Sequence, residues 1–188
     1  SFPTRRSPDL GLIAGPGCSS GSGSVNCPNG PGGIEMQMGG GADVVTSIIT
    51  SPRPAALRVD LGEGDDLFSG QENDDTVAGG PGNDKIVSRG GADALDGGPG
   101  NDTLEAGAAA DRVLGGEGDD TLSGDSTESR SADLIDGGPG TDSLADYYTG
   151  QDPATAPRVT ITLGGGADDG LPGEGDDVRG IERVQAQA

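Results

Sequence analysis

Gly79-Gly-Pro-Gly-Asn-Asp-Lys-Ile-Val87 and Gly97-Gly-Pro-Gly-Asn-Asp-Thr-Leu-Glu105 are two copies of one nine-residue phrase. Gly115-Gly-Glu-Gly-Asp-Asp-Thr-Leu-Ser123 and Gly137-Gly-Pro-Gly-Thr-Asp-Ser-Leu-Ala145 are two more. Counting outward from them, the chain falls into nines from Leu61: 61–69, 70–78, 79–87, 88–96, 97–105, 106–114 and 115–123. A thirteen-residue unit, 124–136, and a last nine, 137–145, follow. The sixth position of each, counted back from the end in the long unit, is always aspartate: Asp66, Asp75, Asp84, Asp93, Asp102, Asp111, Asp120, Asp133 and Asp142. Two residues later comes always an apolar side chain: Phe68, Val77, Ile86, Leu95, Leu104, Val113, Leu122, Ile135 and Leu144. A fixed period of this kind marks a repeat architecture, because a disordered acidic chain scatters its aspartates.

The phrase resembles the RTX, or hemolysin-type, calcium-binding repeat G-G-x-G-x-D-x-U-x, strictly over 61–145 and loosely at Gly39-Gly-Gly-Ala-Asp43-Val-Val45. The resemblance implies an all-β fold, a right-handed parallel β-roll, and Ca²⁺ as its cofactor. The residues support that reading independently. The closing x-U-x of each unit alternates as a short strand with one side chain inward. The six residues before it form a turn whose glycines admit backbone angles closed to other residues. Two units make one coil, so turns on the same side recur every second unit.

Strands stacked about 4.8 Å apart place an ion midway at about 2.4 Å from both turns, which suits Ca²⁺–oxygen distances of about 2.3–2.6 Å better than the shorter Mg²⁺ ones. The candidate ligands are the aspartates and turn glycines: Gly62, Gly64 and Asp66; Gly80, Gly82 and Asp84; Gly98, Gly100 and Asp102; Gly116, Gly118 and Asp120; Gly138, Gly140 and Asp142. These five turns lie on one side and frame four sites. The opposite turns keep Asp75, Asp93, Asp111 and Asp133 but have degenerate glycines, which predicts up to three weaker sites.

Composition points the same way. Of 188 residues, 38 are glycine and only 30% are apolar, below the usual ~45–50%, so no large continuous core is available. The formal charge is −21, from 32 acids and 11 bases, which disfavours nucleic acid and anionic membrane surfaces and favours cations as partners. No run of 18 apolar residues is present, so no membrane-spanning helix is expected. With so thin a column of inward side chains, metal binding is expected to supply folding energy.

Residues 1–36 are rich in Gly, Ser and Pro and read as a linker. Cys18 and Cys27 bracket a short flexible loop; a disulfide there, implying an oxidising compartment, and two unpaired thiols are the alternatives. The first ten residues lack the apolar stretch of an export signal, and the true start, with any such signal, is expected further upstream. Residues 37–60 read as an irregular first coil, 61–145 as the calcium-binding roll and 146–188 as a cap with degenerate repeats. The tail, with Tyr147 and Val178-Arg-Gly-Ile-Glu-Arg-Val184, resembles the closing segment of actinobacterial RTX-type proteins. Asp168 and Asp177 are lesser candidates, because Arg179 falls where the inward residue belongs.

Other motifs carry less weight. Gly17-Cys-Ser-Ser-Gly21 matches a nucleophile elbow, but no strand–helix context surrounds it and the chain has no histidine. Paired carboxylates such as Asp65–Asp66 recur with the repeat, whereas an active site occurs once. The sequon at Asn101 lies inside a turn. The chain therefore reads as no enzyme but as a secreted, extracellular, calcium-binding structural or interaction module, its protein or cell-surface partner unknown. The alternatives are the C-terminal RTX region of a larger secreted enzyme or toxin, such as a protease or lipase, and an adhesin.

Overall fold

A computed structural model describes residues 13–14, 19–21, 24–26, 34–47, 56–125, 131–146 and 177–186. Among them all regular structure is strand. The elements before the strict repeat are β1 (Ile13–Ala14), β2 (Ser19–Gly21), β3 (Ser24–Asn26), β4 (Ile34–Gln37), β5 (Val44–Thr46) and β6 (Leu57–Asp60). The repeats give β7 (Leu67–Ser69), β8 (Thr76–Ala78), β9 (Lys85–Gly90), β10 (Ala94–Pro99), β11 (Thr103–Ala108), β12 (Arg112–Glu117), β13 (Thr121–Asp125), β14 (Leu134–Asp136) and β15 (Ser143–Asp146). The tail adds β16 (Asp177–Arg179) and β17 (Arg183–Ala186).

The chain passes alternately between two sheets. One has the order β1-β4-β6-β8-β10-β12-β14-β16, the other β17-β15-β13-β11-β9-β7-β5. All neighbours in both sheets are parallel except β1 on β4. This is a parallel β-roll. Its register is that of the repeat: Val59, Val77, Leu95 and Val113 align in one sheet, and Phe68, Ile86, Leu104 and Leu122 in the other. The long unit is absorbed without slippage, since Val113 pairs with Ile135 and Leu122 with Leu144.

The inward residue of every described repeat is buried, and Phe68, Ile86, Leu104, Val113 and Leu122 are fully so. Their strand neighbours point outward, as the alternating burial of Leu57-Arg-Val-Asp60 illustrates. The interior is therefore two facing rows of single side chains, with Met38, Leu61 and Ala106 filling between them.

Two features depart from the sequence reading. Strands β9 to β12 run six residues rather than three, continuing into the glycine turns so that Gly98 pairs with Gly116 and Gly107 with Arg89. Identical turns stacked in one orientation carry their N–H and C=O groups in register, so the ladder bends round the corner instead of stopping. In the tail, Val178 rather than Arg179 points inward, paired with Ile135 and buried beside Ile181. That register puts Asp177 opposite Leu134, a position-7 residue, and moves the turn-aspartate position to Asp176, which lies outside the described residues together with Asp168, Tyr147, Cys18 and Cys27. The tail is thus a further coil that extends both sheets.

Candidate metal sites

Each turn is held to its neighbours by a continuous backbone ladder along one edge of the roll. Gly62 N–H donates to the Gly79 carbonyl, Gly80 to Gly97 and Gly116 to Gly137. Gly64 donates to Pro81, Gly82 to Pro99, Gly100 to Glu117 and Gly118 to Pro139. This stacking brings the turns at 61, 79, 97, 115 and 137 together on one edge, as their two-unit spacing predicts. Gly80 and Gly98 have φ of 103° and 104°, and a Cβ on either would strike the glycine carbonyl of the coil before it, so only glycine fits. Gly62, Gly64, Gly82, Gly100, Gly116, Gly118 and Gly138 share the positive φ; Gly140 does not.

The position-6 aspartates form a second ladder inside the turns. Asp66 N–H donates to Asp84 Oδ1 at 2.8 Å, Asp84 to Asp102 at 2.7 Å, Asp102 to Asp120 at 2.8 Å and Asp120 to Asp142 at 2.9 Å. On the other edge Leu57 donates to Asp75, Asp75 to Asp93, Asp93 to Asp111 and Asp111 to Asp133. Asp43 joins from the upstream copy by donating to Asp66. Every position-6 aspartate of the units from 61 to 145 is therefore in the ladder, and each carboxylate is buried.

One oxygen of each has a structural job. Oδ2 of Asp43, Asp66, Asp75, Asp84, Asp93, Asp102, Asp120 and Asp142 is buried without a hydrogen-bond partner. Leaving a buried carboxylate oxygen unmatched is costly, and it stands as the strongest sign of an unfilled role. Its effect shows in the acidities. Burial first, then the neighbouring carboxylates, lift Asp75 and Asp102 to about 7 and Asp84 to about 6, against the opposing pull of the backbone N–H each accepts. Asp66, Asp120 and Asp142 are raised for the same reasons.

The spare oxygens do not stand alone. A Cβ built on Gly79 would strike both Asp84 Oδ2 and the Gly97 carbonyl oxygen. Gly97 stands in the same way before Asp102 Oδ2 and the Gly115 carbonyl, Gly115 before Asp120 Oδ2 and Gly137, and Gly137 before Asp142 Oδ2 and Gly180. A carboxylate oxygen and the next coil's carbonyl thus converge on the position-1 glycine, so closely that no side chain fits there. Hard oxygen donors of this mixed kind suit Ca²⁺, and a cation beside them would satisfy the buried charge. Among the described residues no three Asp, Glu, His or Cys side chains cluster as a metal cage.

Two further elements escaped the sequence reading. Position 5 forms an exposed side-chain ladder running the opposite way: Asn83 N–H donates to Asp65 Oδ1, Asn101 to Asn83, Asp119 to Asn101 and Thr141 to Asp119. The Asn/Asp/Thr run at that position was the available signal. At the tail, Glu182 Oε2 accepts the Asp142 N–H at 2.8 Å, taking the part that aspartate plays in every earlier coil.

A parallel roll whose turns align buried, unmatched carboxylates with backbone carbonyls defines a repeat-built cation-binding protein. Residues 60–95, 96–126 and 129–145 match the family described as RTX calcium-binding nonapeptide repeat (4 copies), so this part of the chain is built of RTX-type repeats, a calcium-binding motif. Neither the curated proteins nor the solved structures contain a match.

Proposed function

We propose that the roll is a secreted structural or interaction module, without catalysis of its own, that folds when Ca²⁺ fills its turns. The row of buried Oδ2 atoms without hydrogen-bond partners carries this reading. In a metal-free roll each is a carboxylate withdrawn from water beside others like it; with Ca²⁺ each becomes a ligand, and the cation offsets the repulsion along the column. The carboxylates and turn carbonyls hold the ion, and the stacked glycines keep those carbonyls in register. Ca²⁺ is abundant outside cells, which favours a chain that is unfolded before export and folds afterwards.

Circular dichroism during a Ca²⁺ titration of EDTA-treated protein tests the proposal. A cooperative gain of β-structure with Ca²⁺, and little with equimolar Mg²⁺, is the expected result. Full β-structure in EDTA would refute folding on binding.

A further inference from the structure

Position 5 of the turns on the first edge carries two amides, Asn83 and Asn101, each followed by an aspartate. Both amides are exposed, while Asp84 and Asp102 after them are buried. An Asn–Asp pair is a reactive unit. The backbone nitrogen of the second residue can attack the side-chain carbon of the first and close a succinimide ring. Whether it does so depends on the freedom of two groups, the attacking N–H and the amide under attack.

In the stacked roll neither is free. The Asp84 N–H donates to Asp102 Oδ1 at 2.7 Å and the Asp102 N–H to Asp120 Oδ1 at 2.8 Å, so each attacking nitrogen is tied to the next coil. The amides are tied as well. Asn83 Oδ1 accepts the Asn101 N–H at 2.9 Å, and Asn101 Oδ1 accepts the Asp119 N–H at 2.8 Å. Asn83 Nδ2 also donates to Asp65 Oδ1 at 3.2 Å. Ring closure therefore requires the coils to part, not merely a side chain to turn.

We propose that Asn83 and Asn101 are self-modification sites that the calcium-filled roll holds shut and the metal-free chain leaves open. In the open chain the Asp84 nitrogen gives its proton to solvent and bonds to Asn83 Cγ; the Cγ–Nδ2 bond breaks and that nitrogen leaves, protonated, as ammonia. Water then opens the ring at one or other carbonyl, giving aspartate or isoaspartate. Asp102 acts on Asn101 in the same way. The products differ in consequence. Aspartate fits the row, since Asp65 and Asp119 already accept at that position of the ladder. Isoaspartate adds a methylene to the main chain just before the buried aspartate. The turn has no slack for it: a Cβ on Gly82 would strike the Gly64 carbonyl, and one on Gly100 the Gly82 carbonyl. In packing this close a lengthened chain cannot keep Asp84 in register with Asp66 and Asp102. Chains that wait without calcium thus lose, irreversibly, the ability to close the roll. This inference rests on the reading that the roll folds on binding Ca²⁺.

The experiment incubates the full-length protein at mildly alkaline pH in excess Ca²⁺ and in EDTA. Peptide mapping by mass spectrometry follows residues 83 and 101, with electron-based fragmentation to tell isoaspartate from aspartate. An ion at about a hundredfold over its dissociation constant leaves about one open chain per hundred closed, so conversion at both sites should be about a hundredfold slower in Ca²⁺. Protein unfolded by urea in Ca²⁺ should convert at the EDTA rate. Samples aged in EDTA are then returned to Ca²⁺, and the β-structure regained, read by circular dichroism, should fall in step with isoaspartate content. Equal rates in Ca²⁺ and EDTA, in protein that is folded in the one and unfolded in the other, would overturn the inference, as would full refolding of chains carrying isoaspartate at both sites. A roll fully folded in EDTA would instead refute the folding reading beneath it.

Discussion

Replacing Asp102 by asparagine should stabilise the roll without calcium and destabilise it with calcium. Asp102 is 2% exposed; its Oδ1 accepts the Asp84 N–H at 2.7 Å and its Oδ2 has no partner. Asparagine keeps the Oδ1 acceptor and turns the unmatched oxygen into an NH₂ beside the Gly115 carbonyl. The rise from 3.8 to about 7 corresponds to about 4 kcal/mol above neutral pH at about 1.4 kcal/mol per unit. Water reaching the turn from its outer side screens much of that, leaving a gain of about 1–2 kcal/mol in EDTA. In calcium the same change removes a ligand. An ion present at about a hundredfold over its dissociation constant contributes about 2.7 kcal/mol, so the variant should lose about 2–3 kcal/mol. The assay is a pair of midpoints followed by circular dichroism: osmolyte-driven folding in EDTA and urea-driven unfolding in excess Ca²⁺. A shift of the same sign in both would refute the reasoning, because it would mean that Asp102 has one role whether or not calcium is present.

Two other outcomes follow from the same architecture. Leu104→Ala, at a fully buried inward position, should cost about 2–5 kcal/mol in calcium, whereas Leu67→Ala, 37% exposed two coils away, should cost about 0.5 kcal/mol or less, both read from urea midpoints. In EDTA the raised aspartates make stability fully present below the ordinary value of 3.8 and lost as pH rises through about 6 to 7, so metal-free protein should gain β-structure on acidification; in calcium, protons compete with the ion and apparent affinity should fall over that same window, which a titration at several pH values checks.

Much of this was legible in the sequence because the repeat fixes phase. Asp84 and Ile86 recur with their neighbours at constant spacing, and that spacing alone assigns turn, strand and inward side chain. The edge on which each turn falls follows from counting units. What the count could not reach lies in three places. Val178 lies beyond residues 147–176, where the period is interrupted, so its register came from pairing with Ile135 rather than from spacing. Glu182 caps Asp142 across forty residues with a longer side chain than the aspartate it replaces, a substitution that spacing does not reveal. Ser88 reads simply as a poor copy of glycine; that its hydroxyl donates to the Ala106 carbonyl of the next coil is given only by the coil's geometry.

The central claim is that cations, more than apolar burial, hold the coils together. Hydrogen exchange of the turn amides that donate to the aspartate ladder, Asp66, Asp84, Asp102 and Asp120, tests it most directly. Protection of all four in Ca²⁺, and its loss together with that of the Leu104 and Leu122 strands on adding EDTA at neutral pH, is the predicted result. Protection that survives EDTA unchanged would contradict the account.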